Sequence, residues 1–94
     1  MDKREAGVGI VRVVMLTRPH CQQCAMMKRI LGDRVEYADA SERPDLTALT
    51  SYTTLPLFLV FDGPQDSGGV CVGSFYGLMP LAEYERRVSL YESR

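Results

Sequence analysis

Residues 10–31 read IVRVVMLTRPHCQQCAMMKRIL, and three successive signals within them decide the fold. Ile10 to Leu16 is rich in β-branched side chains and reads as a strand. Thr17, Arg18, Pro19 and His20 form a turn-prone run that ends it. From Gln22 to Leu31 the chain has neither Gly nor Pro, is rich in good helix formers, and repeats Cys24, Met27 and Leu31 on one face, which predicts a helix closed by Gly32. Two cysteines, Cys21 and Cys24, stand at the junction of the strand and the helix.

Working outward, Arg34 to Asp39 reads as a short second strand from the alternation of Val35 and Tyr37. Ser41 and Pro44 then start a short helix carrying Leu46 and Leu49. Leu57 to Phe61 is nearly all apolar, as a strand covered on both faces should be, and it comes directly after Thr54-Leu55-Pro56. Asp62 to Gly69 is a turn region leading into Val70 to Phe75, the other arm of a hairpin. Leu81, Tyr84, Val88 and Tyr91, at intervals of three and four, predict a closing amphipathic helix over Leu78 to Tyr91. The early strand-helix-strand unit implies parallel pairing and the late hairpin antiparallel pairing. The expected fold is therefore α/β, a mixed four-stranded sheet with three flanking helices in the order βαβαββα. Residues 1–9, charged and without an apolar period, read as a loose lead-in, and residues 10–94 as a single domain.

Composition excludes several classes. The 94 residues are 46% hydrophobic, enough for one core, and the net charge of -1 is built from scattered signs with no extended basic face for nucleic acid. Ile10 to Leu16, interrupted by Arg12, is too short for a membrane span or a signal core, so a soluble, unexported chain is expected. An odd number of cysteines, Cys21, Cys24 and Cys71, argues against a secreted disulfide scaffold and for a reducing cytoplasm.

Cys21 is placed at a helix N-terminus, where unpaired N–H groups and the macrodipole favour a thiolate, the attacking species in disulfide exchange. Arg18 and His20 add positive charge nearby. Cys24, three positions on, returns to the same side of the helix and is placed to resolve a mixed disulfide. The expected roles are Cys21 as nucleophile and Cys24 as resolving thiol, with no bound cofactor. Two plainer readings compete. The pair would be half a zinc site only if Cys71 and His20 joined it, and no second close pair exists. The thiols would be ordinary core residues only in an apolar setting, whereas Pro19, His20, Gln22 and Gln23 make it polar.

Thr17-Arg18-Pro19-His20-Cys21-Gln22-Gln23-Cys24 after a first strand, with Thr54-Leu55-Pro56 before a third, resembles the glutaredoxin-like branch of the thioredoxin superfamily. Gln23, Tyr52 four residues before Pro56, and Gly73-Ser74-Phe75 look most like its NrdH-type redoxins. The resemblance implies a thioredoxin fold and electrons from NADPH through thioredoxin reductase. It also implies a disulfide-bearing protein such as ribonucleotide reductase as target, and a chain acting as a monomer. It makes Pro56 a cis-proline beside the cysteine pair, with Thr54 and the Leu55 backbone receiving an extended target segment. Phe75 is implied at the partner surface. Arg18 takes the place of the lysine that holds a glutathione carboxylate in glutaredoxins, so a glutathione-dependent glutaredoxin is the alternative. Against it, Gly73 is followed by Ser74, Phe75 and Tyr76 with no carboxylate until Glu83, where glutaredoxins carry Gly-Gly and an acidic residue. The redoxins' tryptophan is also missing, with Val72 before Gly73. A non-enzymatic metal-binding or adaptor module with the same fold is the reading from another class.

Other residues have ordinary explanations beside functional ones. Cys71 alternates with Val70 and Val72 and reads as a small sheet residue. Phe75 and Tyr76, at a strand end, are placed equally well for the core or for a partner surface. Lys28, Arg29 and Arg34 either steer an acidic partner toward Cys21 or form a solvated face. Asp39 is expected to cap the segment after the second strand.

Overall fold

A computed structural model describes residues 11–51, 54–62 and 70–92 of the chain. The order is β1 (Val11–Thr17), α1 (Gln22–Leu31), β2 (Glu36–Asp39), a 3₁₀ turn (Ala40–Glu42), α2 (Pro44–Thr47), β3 (Leu57–Asp62), β4 (Val70–Tyr76) and α3 (Leu81–Glu92). The four strands form one sheet in the order β2-β1-β3-β4. β1 and β2 are parallel, and β1 with β3 and β3 with β4 are antiparallel. This is the mixed α/β sheet expected from the sequence, and it is a thioredoxin fold. The expected lead-in, the turn over 63–69 and Tyr52 lie outside the described residues.

Strand alternation divides the core in two. Val13, Met15, Phe58, Val60 and Phe75 point to one face, where Cys24, Met27 and Leu31 of α1 and Tyr84 and Val88 of α3 cover them. Val14, Leu16, Leu57, Leu59 and Phe61 point to the other, against Ala40 and Leu46. β3 is buried along Leu57–Phe61, as its unbroken apolar run requires. Arg12 is accommodated within β1 because its Nε lies 2.7 Å from a Glu36 carboxylate oxygen and its guanidinium lies 4.8 Å from the Phe61 ring centroid.

Three elements differ from the sequence reading. The second helix is a 3₁₀ turn and a single α-turn, so Leu46 is buried while Leu49 remains exposed. α3 begins at Leu81 rather than Leu78, because Pro80 disfavours helical geometry at the residue before it. β4 carries a bulge: Val60 pairs Gly73 and Phe61 pairs Cys71, leaving Val72 as the extra residue. The bulge breaks the alternation between Val72 and Gly73, which both meet the α1/α3 side, so Cys71 packs with Leu57, Leu59 and Phe61 on the opposite face. Gly73 meets α3 so closely that a Cβ there would overlap the Tyr91 ring.

Candidate active site

The sheet gathers its functional segments at one end. Thr17 pairs Asp39, Leu16 pairs Leu57, and Leu57 pairs Tyr76. The C-terminal ends of β1, β2 and β4 and the start of β3 therefore share an edge, from which residues 18–21, 54–56 and 77–79 emerge.

Cys21 is the N-cap of α1, and its sulfur accepts the backbone N–H of Cys24 at 3.2 Å. Pro19 and His20 turn the chain into that position, with His20 at φ 65° in the left-handed region. Cys21 and Cys24 form a disulfide, with Cα atoms 5.2 Å apart. Their exposures differ: Cys21 is half-buried, whereas Cys24 is 2% exposed and belongs to the core. An incoming sulfur therefore reaches Cys21 and not Cys24. The first turn of α1 carries no acidic residue to oppose a thiolate at its N-terminus. The free thiol of Cys71 is half-buried in β4, and its Sγ donates to the Gly73 carbonyl at 3.6 Å.

The structure also places the other sequence-derived residues. The Leu55–Pro56 peptide is cis. Pro56 is buried, Thr54 is exposed, and Leu55 packs partly against both core clusters. The Pro56 carbonyl accepts the Gly77 N–H at 2.9 Å, tying this loop to the end of β4. Phe75 takes the core position of the two that its strand end allowed. It is 6% exposed, and its ring stacks on Phe58 with centroids 4.8 Å apart. Tyr76, one residue on, is exposed at the site's edge.

Arg18 is exposed and lines a shallow groove beside the disulfide, together with His20 and Lys28. Arg29 is exposed and does not line that groove, and Arg34 donates to the Leu31 carbonyl. Asp39 caps the 3₁₀ turn by accepting from the Ser41 N–H and hydroxyl. Those bonds, with a smaller contribution from the Arg18 charge, hold its carboxyl below the usual range. Among the described residues no group of three or more His, Cys, Asp or Glu is arranged to hold a metal ion, and no helix is long and apolar enough to cross a membrane.

Sequence reasoning missed the contribution of Gly77 and Met79. Gly77, at φ 109°, makes the turn that returns its N–H to Pro56, and the Met79 N–H donates to the Met27 sulfur. A glycine three residues before Pro80 was the available signal for the turn. Nothing in the sequence pairs Met27 with Met79, which are 52 positions apart.

No family model and no curated protein sequence matches the chain. Solved structures match its fold. A mutant thioredoxin from Halobacterium salinarum superposes with a TM-score of 0.70 over 89% of this chain and 76% of that one, at 16% identity. The thioredoxin of Thermus thermophilus gives 0.64 over 87% and 73%, at 20% identity. Oxidized mitochondrial thioredoxin 3 of Saccharomyces cerevisiae gives 0.61 over 84% and 76%, at 22% identity. Fold and site together define a thioredoxin-fold protein with a Cys-X-X-Cys pair at the start of its first helix.

Proposed function

We propose that the protein is a dithiol–disulfide oxidoreductase that reduces protein disulfides through Cys21 and Cys24. One observation carries this reading: the disulfide lies at the N-terminus of α1 with Cys21 accessible and Cys24 buried. In the reduced protein, the Cys21 thiolate attacks one sulfur of a target disulfide. A mixed disulfide forms and the second target sulfur leaves as a thiolate. Deprotonated Cys24 then attacks Cys21 Sγ, displacing the first target sulfur. Two electrons have passed to the target, which takes up two protons as a dithiol, and the Cys21–Cys24 disulfide remains. The Cys24 N–H that bonds Cys21 Sγ stabilises the thiolate charge on that sulfur before it attacks the target.

The electron source we favour is NADPH through thioredoxin reductase, with a cytoplasmic disulfide-bearing protein such as ribonucleotide reductase as target. What supports this is the resemblance to NrdH-type redoxins and the run Gly73-Ser74-Phe75-Tyr76-Gly77-Leu78-Met79, which has no carboxylate. Glutathione is the second reading, supported by the exposed Arg18 guanidinium beside the pair. NADPH consumption with a disulfide substrate, supplied with either thioredoxin reductase or glutathione plus glutathione reductase, separates them. Turnover with thioredoxin reductase alone supports the favoured donor, and turnover with glutathione alone reverses it. Cys21→Ser abolishes turnover with either donor, and retained activity in that variant would sink the mechanism.

A further inference from the structure

The groove beside the disulfide is charged in one sense only. Its lining includes Arg18, His20 and Lys28 and no carboxylate, although the whole chain carries a net charge of -1. Asp39, whose carboxyl feels the Arg18 charge, is already bonded to Ser41. α1 has no acidic side chain along Gln22–Leu31.

Lys28 is the distinctive member. Positions 21, 24, 25 and 28 keep helical spacing, so Lys28 stands at the far end of the stripe that begins at Cys21. Its ammonium lies 5.5 Å from the Tyr37 ring centroid, and Tyr37 is itself anchored by its hydroxyl on the Gly32 carbonyl. The aromatic face gives the ammonium a preferred place beside the groove. Ala25, exposed and small, leaves the stripe between Cys21 and Lys28 unobstructed. Seven residues of helix rise about 10 Å, the length of about three residues of extended chain.

We infer that Lys28 selects the target: the groove takes a peptide segment whose attacked cysteine lies about three residues from an Asp or Glu, with that carboxylate on Lys28 and the cysteine at Cys21. This rests on the oxidoreductase reading and specifies its substrate class. Charge complementarity favours such a segment over a neutral or basic one in encounter and in register.

The test uses full-length protein, reduced with dithiothreitol and desalted, in single-turnover reactions with synthetic peptides holding one disulfide. Glu or Gln is placed three residues from the cysteine attacked. At low ionic strength the Glu peptide should react about fivefold faster than the Gln peptide, the advantage of one contact between charges in water. The ratio should fall toward one in about 1 M salt, where the screening length is about 3 Å. Lys28→Gln should bring the ratio to about one at low salt and Lys28→Arg should keep it. Arg86→Gln, which removes an equal charge from exposed α3, should also leave it at the wild-type value. With Glu moved next to the cysteine, where Arg18 rather than Lys28 lies nearest, the ratio should no longer respond to Lys28→Gln.

Equal rates for the Glu and Gln peptides overturn this inference and leave the oxidoreductase reading standing, since both are then reduced. Reduction of neither overturns both. Oxidized glutathione, whose carboxylates are not carried on a peptide segment of that length, is the further probe. If Lys28→Gln slows it as much as the Glu peptide, and the position of Glu does not matter, the site reads small anionic disulfides and the segment assignment fails.

Discussion

The backbone N–H of Met79 donates to the thioether sulfur of Met27 at 3.4 Å, and both residues are buried. Met27 lies on α1 one turn beyond Cys24, and Met79 lies two residues beyond Gly77, whose own N–H holds the Pro56 carbonyl. The helix that carries the cysteines and the loop that carries Pro56 are thus joined through residues 77–79. A thioether is a weak acceptor, but a buried N–H has few alternatives in an apolar setting.

Met27→Leu keeps the volume and removes the acceptor. We expect a loss of about 1–3 kcal/mol in stability from the unpaired N–H, read from the denaturant midpoint. Faster amide exchange at Met79 should accompany it. An unchanged exchange rate there would show that the sulfur does not hold that N–H.

Phe75 stacks on Phe58 and lies 6.1 Å from the Tyr84 ring, centroid to centroid. Phe75→Ala should cost about 3–5 kcal/mol, as removal of a buried ring does. A loss below about 1 kcal/mol would place the ring outside the core and return it to the partner surface.

Gly73→Ala puts a methyl where the Tyr91 ring lies, so the ring has to leave its place on the core. Tyr91→Ala removes the same contact. Their effects on the unfolding midpoint should therefore add to less than their sum, and strict additivity would separate the two sites.

Burial raises the Tyr84 phenol above its ordinary value of 10.0, with the Glu92, Tyr37 and Glu85 charges adding to the effect and Arg34 opposing it. The folded state thus holds this proton more tightly than the unfolded chain. The resulting stability is complete below about pH 10 and is lost as pH rises from there through the higher folded value. Urea midpoints measured between about pH 8 and pH 11 should fall more steeply for the wild type than for Tyr84→Phe. Parallel curves would assign the alkaline loss to other groups.

Much was legible locally. The span of α1 and its buried face at Cys24, Met27 and Leu31 come from spacing and from the absence of Gly and Pro, and the apolar run of β3 predicts burial on both sides. These features depend on neighbours within a turn or along a strand, where periodicity is the physical cause. The bulge at Val72 was not legible, because a ladder's register depends on both of its strands. Nor was the start of α3 at Leu81, where Pro80 overrides a periodicity that continues through Leu78.

By itself, then, the sequence determined that one cysteine sulfur would stand at a helix N-terminus with a second one turn away, because helical spacing is a local property. It could not assign Phe75 to the core, choose Lys28 from Lys28, Arg29 and Arg34 as the basic residue beside the disulfide, or join Met27 to Met79. Those outcomes depend on how α1, β4 and the 77–79 turn are brought together. That proximity arises only when both faces of the sheet are covered and the strand ends meet at one edge.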